Sequence, residues 1–176
     1  TGNFGDIYAG FIAKQMGLPM GKLIVATNQN DILSRVINSG DYVPQKVKST
    51  LTPSMDIQIA SNFERLLFDI SRQNDIRVNN LMNNLKKNGS FTLNPEEQNL
   101  IKESFSAYKI DDNETIRTIR DFFNNYGFIL DPHTATAVGT SYKVKNEFPT
   151  VVLATAHPYK FADTIKMAIN KDVAVP

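Results

Sequence analysis

The sequence contains no cysteine in 176 residues. That absence excludes a disulfide scaffold and a zinc–thiolate site together. It is neutral about compartment, for which the cytoplasm is the default expectation. Charge of one sign is missing too: 19 basic and 18 acidic side chains leave a net charge of +1. There is no electrostatic ground to expect a nucleic acid or an anionic membrane as partner. No apolar run approaches the length needed to cross a bilayer, and none has the pattern of a cleavable signal. What is present is 41% hydrophobic and 21% charged residues, the balance of a soluble globular protein with a real core.

Periodicity predicts alternating helices and strands around a helical middle. Residues 6–17 carry Ile7, Phe11, Ile12 and Met16 at helical spacing and stop at Gly17 and Pro19. KLIVAT (22–27) is a short apolar run typical of a buried parallel strand, and 30–39 follows as a helix ended by Gly40. Residues 61–88 repeat the spacing of one buried face, through Phe63, Leu66, Leu67 and Ile70 and then Val78, Leu81, Met82 and Leu85. The polar SRQNDIR in the middle is a candidate break. NPEE starts another helix, with Asn94 as cap, Pro95 in the first turn and two acids near the positive helix end. A helix over 112–125, a strand near 128–130, a helix from 132, a strand TVVLA (150–154) and a helix from 158 complete the chain.

Strands are scarce in this reading. Roughly three are visible, whereas a typical sheet has roughly five or six, and parallel strands want a sheet covered on both faces. The patterning therefore predicts the C-terminal part of a larger α/β fold.

Three short stretches could carry chemistry. Gly2, Asn3, Phe4 and Gly5 lie just before a helix, where converging backbone N–H groups and the helix dipole suit a phosphate; an ordinary glycine turn is the plain alternative. Asp6 repels an anion and reads better as a helix cap. In LDPHTA (130–135), Asp131 reads as an N-cap before Pro132, and His133 falls in the first turn, where the dipole disfavours its charged form. In VVLATAHPYK (151–160), Thr155 ends a strand at the edge where open α/β sheets bind ligands. A helix-start hydroxyl is the plain reading of Thr155, and a polar turn residue that of His157.

TGNFGD, ATNQNDIL, TLTPSMDI followed by SNFERLL, LDPHTA and TAHPYKF occur in this order along nearly the whole chain. The set resembles the C-terminal portion of threonine synthase, a pyridoxal-phosphate enzyme of fold type II, the tryptophan synthase β superfamily. The resemblance implies a three-layer α/β/α domain whose sheet is incomplete in this chain. Residues 1–60 and 127–176 would belong to that large domain, and 61–126 to the helical insertion of the bacterial and fungal branch. The implied cofactor is pyridoxal 5'-phosphate, with Gly2, Asn3, Phe4 and Gly5 holding its phosphate and the Thr155 hydroxyl meeting its pyridine nitrogen. The implied reaction is a carbon–oxygen lyase step in threonine biosynthesis, from O-phosphohomoserine and water to threonine and phosphate.

The family's Schiff-base lysine belongs to the N-terminal portion, which precedes the glycine loop. By that match no catalytic residue lies in this chain, and its missing partner is the N-terminal portion itself. Nothing marks Lys14 or Lys22 as that lysine. Two other readings compete. One is a non-catalytic remnant of a split or decayed gene, acting at most as a binding or interaction module. The other is a different phosphate-ligand enzyme of the superfamily, such as a dehydratase, against which TLTPSMDI, LDPHTA and the helical block argue.

Overall fold

The computed structural model describes residues 2–145 and 148–175. Thr1 of the opening motif lies outside them. Helix α1 spans Gly5–Gln15 and strand β1 Leu23–Thr27, where four of the five side chains are buried as the apolar run predicts. Helix α2, Ile32–Ser39, buries Ile32, Leu33, Val36 and Ile37 on one face and ends at Gly40, whose φ of 84° only glycine adopts without cost. Helix α3, Phe63–Ile70, and helix α4, Asp75–Asn88, are separate. The break falls within SRQNDIR, where Arg72 and Gln73 take positive φ values of 57° and 60°.

Helix α5, Pro95–Ser104, opens on a reciprocal cap. Asn94 Oδ1 accepts from Glu97 N–H at 2.8 Å, and Glu97 Oε2 accepts from Asn94 N–H at 2.9 Å. Helix α6, Asp112–Tyr126, repeats the device with Asp111 and Glu114. Helices α7, Pro132–Ser141, and α8, Ala162–Ile169, complete the helical set described.

Strand β4, Phe105–Lys109, runs directly on from α5 and pairs in parallel with β1, Leu23 opposite Phe105 and Thr27 opposite Lys109. Between them lie β2 (Asp41–Tyr42) and β3 (Phe91–Thr92), a short antiparallel pair. The main core gathers around three rings: Phe4 meets Phe63 edge-on at 5.3 Å and Phe105 at 5.5 Å. Val25, Leu33, Leu66 and Ile101 fill it further. A second cluster of Ile119, Leu130, Ala135 and Ile165 joins α6, α7 and α8.

Two expected strands are not strands here. Residues 128–130 and 150–154 run without ladder partners among the described residues. Phe128, Val151 and Leu153 are 62%, 84% and 61% exposed. A strand is defined by its neighbour, because its N–H and C=O groups must find a ladder. The apolar content of these segments is legible in the sequence, but whether they pair is not. Conversely, FSAYK at 105–109 escapes the periodicity reading: it follows a helix with no turn residue, and only Phe105 and Ala107 point inward.

Candidate functional site: a phosphate-type cradle

Phe4 sets the geometry of the opening loop. It occupies the N-cap position of α1 with φ 70° and ψ 5°, a left-handed conformation that bulky residues avoid. Its fully buried ring, wedged between Phe63 and Phe105, holds it there. A left-handed residue followed by right-handed helix makes successive N–H groups converge into an anion-binding nest. Gly5 N–H donates to Asn3 Oδ1 at 2.9 Å, and the first i→i−4 bond is Tyr8 N–H to Phe4 O at 3.0 Å. The N–H groups of Asp6 and Ile7 therefore precede the helical ladder, at the positive end of the helix dipole.

Gly2 and Gly5 serve space rather than φ, since the described glycines with positive φ are Gly17, Gly40, Gly89 and Gly127. A Cβ on Gly2 would stand 2.8 Å from Ser54 O and 3.0 Å from Met55 Cα. One on Gly5 would stand 3.1 Å from Asn3 Oδ1. Asp6 is exposed in the first turn and does not cap α1 through its side chain. The acceptor at this helix start is Asn3.

Behind the loop, TLTPSMDI forms a tight buttress around the 3-10 turn Pro53–Met55. Asn28, one residue beyond the carboxyl end of β1, donates to Thr50 Oγ1 (2.8 Å), Thr52 Oγ1 (2.8 Å) and Asp56 Oδ1 (2.7 Å). Its own Oδ1 accepts from Asn30 N–H at 2.8 Å, and Asp56 Oδ2 accepts from Thr50 N–H at 2.9 Å. Asn28 and Asn30 are almost completely buried, so this network fixes one arrangement of the turn. Asn62 N–H donates to Asn3 O at 3.0 Å, tying the loop to the start of α3. No role for Asn28, Thr52 or Asp56 emerges from the sequence beyond their place in ATNQNDIL and TLTPSMDI. Their mutual bonding across more than 20 positions is a tertiary fact.

Asp131 caps α7 as its position before Pro132 predicts. Its Oδ1 accepts from His133 N–H at 2.9 Å and Thr134 N–H at 3.2 Å, and the Thr134 hydroxyl donates to Oδ2. Burial pushes this carboxyl up, but the bonds from His133 and Thr134 outweigh it and hold it below the ordinary carboxylate range. His133 points back at the buttress: its Nε2 accepts from Ser54 N–H at 3.2 Å. Its buried Nδ1 lies 3.4 Å from Asp131 Oδ1 and makes no hydrogen bond among the described residues. Phe161 packs against the same ring at a tilt of 53°, 4.7 Å between centroids.

Thr155 lies exposed in the extended run before the 3-10 turn Pro158–Phe161, with no hydrogen bond of its own among the described residues. His157 caps that turn, its Nδ1 accepting from Tyr159 N–H at 3.2 Å. Lys14 is held in a structural role, Nζ to Gly21 O at 2.8 Å. The structure thus assembles Gly2–Gly5, the Pro53–Met55 turn, His133 and Phe161 into one continuous set of contacts. Thr155 is joined to it through the chain rather than by a side-chain bond.

Residues 134–176 match the family described as "Threonine synthase, C-terminal". The whole chain superposes on a PLP-bound threonine synthase from Brucella melitensis with a TM-score of 0.97 and 48% identity. Along its whole length the chain matches the C-terminal portion of threonine synthases. Threonine synthase from yeast follows at TM-score 0.90 and 41% identity over 96% of this chain. Among curated relatives, the Pseudomonas aeruginosa threonine synthase is 40% identical across 100% of this chain, and the one from Saccharomyces cerevisiae 40% across 97%. The chain spans 38% of the length of the Pseudomonas protein and 38% of the Brucella one.

Proposed function

We propose that this chain is the C-terminal portion of a pyridoxal-phosphate-dependent threonine synthase. In that reading the complete enzyme converts O-phosphohomoserine and water to threonine and phosphate, in the cytoplasm. The observation that carries the proposal is the nest at Phe4. Its donors are backbone N–H groups at a helix N-terminus, and the acid of that turn, Asp6, is exposed. That donor set fits a phosphate monoester, and the superposable Brucella threonine synthase is a PLP-bound protein.

Bound there, the cofactor would supply an electron sink for chemistry next to the amino-acid carbon. The residues of this chain hold and orient it. The loop Gly2–Gly5 and the first turn of α1, through the N–H groups of Asp6 and Ile7, would hold the phosphate, and Gly2 lets the loop lie flat on Ser54. The Thr155 hydroxyl would partner the pyridine nitrogen. A hydroxyl is a neutral partner, so it leaves the ring a milder sink than a carboxylate would, which suits moving protons among several carbons without side reactions. Residues 1–60 and 127–176 contribute to the cofactor domain, and 61–126 hold the helical insertion, which also lends β4 to the sheet beside β1. The Schiff-base lysine and most contacts to the substrate phosphate belong to the N-terminal portion.

The test is phosphate release from O-phosphohomoserine. Purified 1–176 should give none above background, and the complete polypeptide should turn over. Borohydride reduction with pyridoxal phosphate should label the complete polypeptide outside these residues. Stoichiometric labelling of one lysine within 1–176, or turnover by 1–176 alone, would overturn the assignment.

A further inference from the structure

We infer that His133 is a positioning residue for the cofactor phosphate, acting through Ser54 on the loop of Gly2–Gly5. This rests on the reading of that loop as a phosphate cradle. The imidazole is 91% buried by side chain, yet it is polar and it spends its one acceptor on a loop from a different part of the chain. Ser54 N–H, the donor, belongs to the residue whose carbonyl lies against Gly2, close enough that a single added methyl group would collide with it at 2.8 Å. A shift of the Pro53–Met55 turn is therefore passed directly to the cradle. On its other side His133 is fixed by two things: the Asp131 cap on its backbone N–H and the Phe161 ring against its imidazole. The ring thus locks the start of α7, the buttress and the turn after Thr155 to one another. It places the phosphate-binding backbone and the segment bearing Thr155 in a common frame without touching the cofactor itself.

A structural role alone would weaken all binding alike, whereas a role through the cradle is specific to the phosphate. The discriminating probe is pyridoxal, which has the ring and aldehyde of the cofactor but no phosphate. Equilibrium binding of pyridoxal phosphate and of pyridoxal would be measured spectroscopically on the complete polypeptide. Three forms are compared: wild type, His133→Leu and His133→Gln, whose amide oxygen reaches the Nε2 position and can accept from Ser54 N–H. His133→Leu should bind pyridoxal phosphate about fivefold to tenfold more weakly, the loss of one hydrogen bond, with pyridoxal affinity unchanged. His133→Gln should recover most of that loss. Melting temperatures without cofactor identify a variant that has lost its fold, and His133→Met replaces the leucine variant in that event. Equal losses for both ligands, no loss for either, or a glutamine variant as impaired as the leucine one would overturn the inference. Wild type binding both ligands equally would instead overturn the cradle reading beneath it.

Discussion

Phe4 does two jobs with opposite demands. Its ring anchors the core and its backbone takes a conformation that phenylalanine resists, so the packing of Phe63 and Phe105 must hold the nest open. Phe4→Ala should lose about 3–5 kcal/mol of stability, as large-to-small core changes do, read from urea unfolding. Gly2→Ala makes the converse case. It removes nothing from the core, but its methyl meets Ser54 O at 2.8 Å, so the loop must move. In the complete polypeptide it should weaken pyridoxal phosphate binding while leaving pyridoxal binding near wild type. A further residue-scale expectation concerns pH. Asp131 has a folded pKa below its unfolded value, burial raising it and the His133 and Thr134 bonds more than compensating. Its contribution is present above about pH 4, the usual aspartate value, and is lost as pH falls through the lower folded value. Asp131→Asn keeps a cap acceptor and cannot titrate. The stability gap between wild type and variant should be full at pH 6 and shrink toward pH 2, measured by urea midpoints; a gap independent of pH would contradict this.

At the scale of elements, helix starts are secured by local devices and strands are not. Asn94, Asp111 and Asp131 each cap a helix with bonds to residues two or three positions ahead. NPEE and DP could therefore be read in the sequence and were found in place. Asn94→Ala should destabilise the fold by about 1 kcal/mol. Glu97 stays paired with Arg77 at 2.7 and 2.8 Å, so α5 should survive with a frayed first turn. Hydrogen exchange confined to residues near 95–98 would check this. The break between α3 and α4 was legible as polarity, though not as the two left-handed residues Arg72 and Gln73 that make it. Strand pairing was not legible. TVVLA has the composition of a buried strand and lies exposed, while FSAYK lacks that signature and sits beside β1. Composition reports what a segment can bury, and a ladder needs a specific neighbour.

At the scale of the molecule, the described residues form a main sheet of two paired strands and leave apolar side chains uncovered at Phe128, Val151 and Leu153. In the proposed enzyme the N-terminal portion would cover these side chains. Purified 1–176 should therefore bind a hydrophobic dye, and co-expression with that portion should reduce the binding. Equal dye signal in both would argue that the faces stay open to solvent.

What the sequence by itself determined is what acts over short spans: helix faces, caps, the glycine loop before a helix, and a set of ordered motifs sufficient to name the family. These follow from periodicity and from bonds between residues a few positions apart. Only the tertiary structure decided that Phe4 rather than a glycine is the left-handed residue of the opening loop. It also decided that Asn28 and Asp56 lock the turn beneath it, and that His133 reaches Ser54 across 79 positions. Each depends on packing that brings distant segments together, and no local pattern encodes which distant partner a buried polar group will meet.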